Sequence, residues 1–186
     1  MRRESGIHAT CPTRRQLLVT LTLLAGAMPL RAQPLAAPNV VVISDRLVTS
    51  GQPPAAALAE LGAAGFQAVV YLAPSDVSGA VRAEPEILAR QGIEFVHIPI
   101  PFGSPDAGHF EALSQALQRL KDKKVLVHCE VNMRASSLVF LHRVVTLKED
   151  PAQAYAAVTA VWSPRGPWRR LVEQQLRQAG VKFDLM

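Results

Sequence analysis

The 186-residue chain holds 20 lysines and arginines against 15 acidic residues, and its hydrophobic share of 49% is enough for one domain with an ordinary core. The basic excess is local: residues 1–32 contain Arg2, Arg3, Arg14, Arg15 and Arg31 against Glu4 alone, leaving 15 basic and 14 acidic residues, a net of +1, in the remainder. The charge is therefore no sign of nucleic-acid binding.

The basic start is followed by the uncharged run Gln16–Leu30 and by small residues, the pattern of a cleaved export signal over 1–32. The run is short and contains Pro29, so no stable membrane span is expected after cleavage; a retained N-terminal anchor is the alternative. Thr13-Arg14-Arg15-Gln16-Leu17-Leu18 resembles a twin-arginine signal, which implies a periplasmic or secreted domain over 33–186. Cys11 leaves with the signal, so Cys129 is the lone thiol of the mature chain and no disulfide can form within it.

In the mature chain, Asn39–Ile43 reads as a strand, with Leu47–Thr49 as its partner. Ser50-Gly51-Gln52-Pro53-Pro54 is turn chemistry before a helix whose apolar face is Ala57, Leu58 and Leu61, with Gly65 as its stop. Phe66–Leu72 is the next strand, followed by a loop over 73–79, a helix from about Glu84-Pro85 to Gly92, and a strand over Ile93–Ile98. The proline-stiffened loop 99–106 feeds a helix with Phe110, Leu113, Leu117 and Leu120 on one stripe. Ser104-Pro105-Asp106 reads as an N-cap followed by a first-turn carboxylate. Asp150 and Pro151 start one helix, with Ala154, Tyr155, Val158 and Trp162 facing inward, and Pro167 starts the last, with Trp168, Leu171, Val172 and Leu176 inside. The β-α-β-α-β order predicts an α/β fold: a small, mainly parallel sheet flanked by helices on both faces.

The chemistry concentrates at Val125–Val145. Val125–Val127 is a short buried strand, and Leu138, Leu141, Val144 and Val145 fall at helical spacing. Between them lie His128, Cys129 and Arg134. A helix that opens directly after a strand aims its unpaired N–H groups, and the positive end of its dipole, at the turn. A cysteine there is favoured as thiolate, and Arg134 offers a two-pronged donor to an oxyanion. Glu130, Val131, Asn132, Met133, Ala135 and Ser136 supply the remaining wall of the expected anion site. Of these, Asn132 tolerates positive φ best, and Glu130 brings a negative charge to a site meant for an anion.

The run His128-Cys129, a short loop, then Arg134 at the start of a helix resembles the phosphate-binding loop of cysteine-dependent phosphatases. Four residues separate Cys129 from Arg134 where that family commonly has five, and Ala135 precedes Ser136. A four-residue interval is similar to the loop of rhodanese-type sulfurtransferases. Thr49-Ser-Gly-Gln-Pro53, Ala63-Ala-Gly-Phe66, Val69-Val-Tyr-Leu-Ala-Pro74 and Trp162-Ser-Pro164 extend the phosphatase resemblance over most of 39–180. They resemble the bacterial phosphatase-like domain found alone or beside β-lactamase-like hydrolases.

The resemblance implies the phosphatase-type sandwich and phosphate-monoester hydrolysis through a phosphocysteine on Cys129, with Arg134 binding phosphate oxygens. Asp106 is the expected proton donor, with Asp76 in reserve. His128 orders the loop, and Ser136 is a candidate partner for the leaving thiolate. No cofactor or metal is required, and the implied partner is a phosphorylated small molecule or phosphoprotein. A sulfurtransferase and a non-catalytic phosphate-binding module are the alternatives.

Overall fold

A computed structural model describes residues 35–185. The expected export signal and its cleavage sites lie outside the described residues. Five strands, β1 (Val41–Ser44), β2 (Leu47–Ser50), β3 (Ala68–Tyr71), β4 (Glu94–His97) and β5 (Val125–His128), form one sheet in the order β1-β2-β5-β3-β4. Only the β1–β2 pair is antiparallel. The expected small, mainly parallel α/β sheet is therefore present. The sequence pattern does not show that β5 inserts between β2 and β3, which makes the strand carrying the cysteine loop the central one.

Side-chain alternation divides the core. Val69 and Leu126 face α1 (Ala55–Ala59) and α2 (Glu84–Ala89), packing with Leu58, Leu61, Ile87 and Leu88. Val70, Val125 and Val127 face the other layer, made by α3 (Ala107–Arg119), α4 (Met133–Leu141), α5 (Pro151–Thr159) and α6 (Gly166–Gln178). Leu113, Leu138, Leu141, Val158 and Trp168 fill that side and are fully buried or nearly so. Helices thus cover both faces, as a two-sided hydrophobic sheet requires. No described helix is long and apolar enough to cross a membrane.

Local chemistry explains most element boundaries. Asp150 Oδ1 accepts the Gln153 N–H at 2.9 Å and Pro151 occupies the first turn of α5. Four expectations shift. The first helix ends at Ala59, and Gly65 closes the turn that follows rather than the helix. Asp106, not Ser104, caps α3: its Oδ1 accepts the His109 N–H at 3.0 Å, and the His109 ring accepts the Asp106 N–H, so a reciprocal capping box forms. Trp162 is only half-buried, because it lies beyond the end of α5. The helix after the cysteine loop turns π-helical over His142–Thr146, where the buried His142 ring meets the Ser114 hydroxyl at 2.8 Å.

Candidate active site

The last residues of four adjacent strands form a row. Ser50 pairs in register with His128, His128 with Tyr71, and Tyr71 with His97. Residues opposite one another on neighbouring strands share a face, so the rings stack: His97 on Tyr71 at 5.1 Å, and Tyr71 on His128 at 4.8 Å between centroids. By alternation this row faces the α1/α2 side, and there Glu84 waits in the first turn of α2. His128 Nε2 lies 2.7 Å from Glu84 Oε1, with both side chains buried. Gln52 Nε2 donates to the second carboxylate oxygen at 3.0 Å. Burial is the main reason the Tyr71 phenol is pushed up to about 12; the charges of Glu84 and then Glu130 add to it, and Arg134 opposes.

Cys129 follows one position on and packs into the α3–α6 side of the core, with no exposure. The loop after it is tied down from outside. Gln52 N–H donates to Glu130 O at 3.0 Å, and Asn39 Nδ2 to Val131 O at 3.0 Å. In a trans peptide the N–H points opposite its own C=O. With the Glu130 carbonyl turned outward to Gln52, the N–H group of Val131 turns into the loop.

Asn132 then takes φ 70° and starts α4 without a side-chain cap. Its side chain is used elsewhere, donating to Asn39 O at 2.6 Å and Thr49 Oγ1 at 3.0 Å. The first-turn N–H groups of Met133, Arg134 and Ala135 therefore also face the turn. Positive φ at Asn132 is where the sequence places its tolerance.

Gly51 makes this closeness possible. It bridges Val131, and a Cβ on Gly51 would stand 2.7 Å from Glu130 O and 3.1 Å from Val131 Cα. The Ser-Gly-Gln-Pro turn is thus part of the site: its glycine admits the loop and its glutamine holds Glu84.

Arg134 is buried and tightly placed. Its Nε donates to Ile100 O at 3.0 Å, its guanidinium lies 5.1 Å from the Phe102 ring centre, and its Nη1 donates to Glu130 Oε2 at 2.8 Å. The carboxylate that the sequence places beside the anion site thus sits directly on its cation. Cys129 and Arg134 do share the loop as expected, but the thiol is enclosed, whereas the sequence suggests a thiolate at an open mouth.

Ser136 Oγ donates to Met133 O at 3.3 Å, a bond within its own helix rather than to Cys129. Ala135 is core, and Val131 is exposed at the loop apex. Asp106 is committed to capping α3 and is hydrogen-bonded to no residue of the cysteine loop, although Ile100 and Phe102 of the same connection both touch Arg134. Asp76 lies exposed in the loop after β3.

Sequence reasoning missed Glu84 and Tyr71 as site residues. A glutamate ahead of a proline carries the ordinary signature of a helix start, and nothing local reveals its burial against His128.

No protein-family model matches the chain, and no curated protein sequence matches it. Solved structures do. A candidate phosphatase of the DUF442 group from Shewanella putrefaciens superposes with a TM-score of 0.69 at 25% identity, over 77% of this chain and 94% of that one. The phosphatase Tk-PTP in its active form gives 0.63 at 19% identity, over 76% and 98%. The kinase associated phosphatase, in a form whose catalytic site cysteine is replaced by serine, gives 0.60 at 16%, over 74% and 89%. The chain has the fold of the cysteine-dependent tyrosine and dual-specificity phosphatases.

Proposed function

We propose that the chain is a cysteine-dependent phosphatase acting on a phosphate monoester, and that Cys129 is its nucleophile. The observation that carries this reading is the junction of β5 and α4. A cysteine, inward N–H groups, an uncapped helix start and a buried arginine converge there, in a fold shared with phosphatases.

In this reading the Cys129 thiolate attacks phosphorus, an S–P bond forms and the P–O ester bond breaks. Asp106 gives its proton to the leaving oxygen. Water then attacks the phosphocysteine, Asp106 takes the proton back, and inorganic phosphate leaves with the thiolate restored. N–H groups of residues 130–135 and Arg134 bind the oxygens as charge spreads over them. His128, fixed by Glu84, anchors the strand end that carries the cysteine. Asp106 must combine proton transfer with its cap; Oδ1 holds the His109 N–H, leaving Oδ2 for the proton.

The finer placement beside the β-lactamase-associated phosphatase-like domains rests on Ser50-Gly51-Gln52-Pro53 together with the cysteine loop. Export of a domain starting near residue 33, to the periplasm or as a secreted protein, rests on the basic and apolar pattern of 1–32. N-terminal sequencing of protein recovered from that compartment tests it; a chain still starting at Met1 there sinks the cleavage.

The four-residue interval between Cys129 and Arg134 favours one competitor, sulfur transfer, because a smaller ring of N–H groups suits a persulfide sulfur. The deciding assay gives the mature protein an aryl phosphate, and separately thiosulfate with cyanide. Phosphate release that disappears in Cys129→Ser is expected. Thiocyanate without phosphate release overturns the reading in favour of a sulfurtransferase; phosphate binding with neither product leaves a binding module. Arg134→Lys should weaken both binding and turnover, since an ammonium cannot reproduce the planar fork.

A further inference from the structure

Arg134 has one usable edge left. Its Nε is tied to Ile100 O, so a two-pronged grip on a ligand must use the Nη1/Nη2 edge, and Glu130 Oε2 already holds Nη1 at 2.8 Å. The two partners are unequally free: the Arg134 side chain is 4% exposed and that of Glu130 34%. Glu130 can turn into water, while Arg134 is walled in by Ile100 and Phe102. A ligand therefore displaces the glutamate and leaves its charge close by.

We propose that Glu130 is a specificity-determining residue that sets the loop to take a singly charged tetrahedral oxyanion in preference to a doubly charged one. This rests on reading the loop as an oxyanion cradle, and not on which reaction follows; a phosphate monoester, largely a dianion at neutral pH, then enters as its monoanion. With Glu130 ionised, its carboxylate offsets part of the attraction of Arg134 for a ligand and repels that ligand in proportion to the ligand's charge. A second ligand charge therefore adds desolvation and further repulsion from Glu130. Remove the carboxylate, and that repulsion is gone, whatever the charge on Cys129.

Sulfate and perchlorate test this directly. Both are tetrahedral, they differ by one charge, and neither titrates near neutral pH. Each is titrated into the wild-type domain and into Glu130→Gln at fixed ionic strength, with the amide NMR shifts of residues 130–135 locating the site. The substitution should tighten both anions, by a common factor for the carboxylate no longer displaced and by a charge-dependent factor that is squared for sulfate, so that sulfate gains about tenfold more than perchlorate. Equal factors for the two anions, or no change, overturn the proposal while leaving the cradle intact. If neither anion moves the loop amides in either protein, the cradle fails and the proposal with it. Glu130→Ala serves as the second variant and should give the same order of anions. Anion selectivity as expected with no turnover of aryl phosphate keeps the inference and removes the phosphatase reading.

Discussion

Two pairs built on a glutamate bracket Cys129, and they are built differently. Glu84 and His128 lie beneath the loop, both within 2% of full burial, with Gln52 on the second carboxylate oxygen and Tyr71 stacked on the imidazole. Glu130 and Arg134 lie across the loop, joined at 2.8 Å, with only the arginine enclosed. A buried pair is expensive to break, because the survivor is stranded without water. A pair with one member in solvent exchanges easily and contributes little to stability. The lower pair therefore holds the strand end in place, and the upper pair governs what may approach the cysteine.

Removing the lower carboxylate is the strongest way to break that contrast. Glu84→Ala leaves His128 and Gln52 without their acceptor and should destabilise the domain by about 3–5 kcal/mol. Glu84→Gln keeps one acceptor and should lose less. Urea midpoints measure both, beside Glu130→Gln, which should shift by about 1 kcal/mol or less. Equal shifts at the two sites would erase the distinction.

Gly51 tests whether the loop depends on its neighbour. In Gly51→Ala the new Cβ meets Glu130 O at 2.7 Å and Pro38 Cβ at 2.9 Å, and both belong to segments held by hydrogen bonds. Forcing them apart should lower stability by about 1–3 kcal/mol and reduce oxyanion binding. A variant as stable as the wild type, binding sulfate equally well, would mean the turn gives way at no cost and does not shape the cradle.

Tyr71 reports on both pairs at once. Its folded-state pKa is raised from 10.0 to about 12, chiefly by burial, then by Glu84 and Glu130. The sign follows: the native state holds the phenol proton more tightly than the unfolded chain, so Tyr71 stabilises fully below pH 10 and that contribution is lost as pH climbs through about 12. Burial raises Tyr155 as well. Absorbance near the tyrosinate band should therefore stay flat at pH 10 while the domain is folded. Glu84→Gln should bring the Tyr71 transition down more than Glu130→Gln does, and the reverse order would contradict the geometry.

The parts readable from sequence were those fixed within a few residues. Short β-branched apolar runs marked the strands, Asp150-Pro151 and Pro167 marked helix starts, and Asn132 was the residue suited to φ 70°. The insertion of β5 between β2 and β3 was not legible, because strand order depends on pairing across more than fifty residues. The same holds for Glu84, which is 44 positions from His128, and for the closeness of Gly51 to Glu130. The Glu130–Arg134 pair was half-legible. Spacing of four at a helix start brings the two side chains within reach, but the enclosure of the arginine arises from Ile100 and Phe102, on a separate loop.

The smallest expected effect separates two duties of one carboxylate. Asp106 caps α3 through Oδ1, and asparagine caps about equally well, so Asp106→Asn should leave stability within a few tenths of a kcal/mol, whereas Asp106→Ala should lose about 1 kcal/mol. Asparagine cannot donate the proton a leaving alkoxide needs. Read as kcat/KM, which ends at formation of the phosphocysteine and so excludes its hydrolysis, Asp106→Asn should be nearly as fast as wild type with an aryl phosphate whose leaving group departs unprotonated. With an alkyl phosphate it should slow by about a hundredfold, within the usual range for lost general-acid catalysis. Comparing the two substrates cancels any common effect of a displaced loop. If the alkyl and aryl rates fall together or not at all, Asp106 is a helix cap only. The leaving-group proton must then come from elsewhere, and Asp76, exposed in the loop after β3, is the next carboxylate to replace.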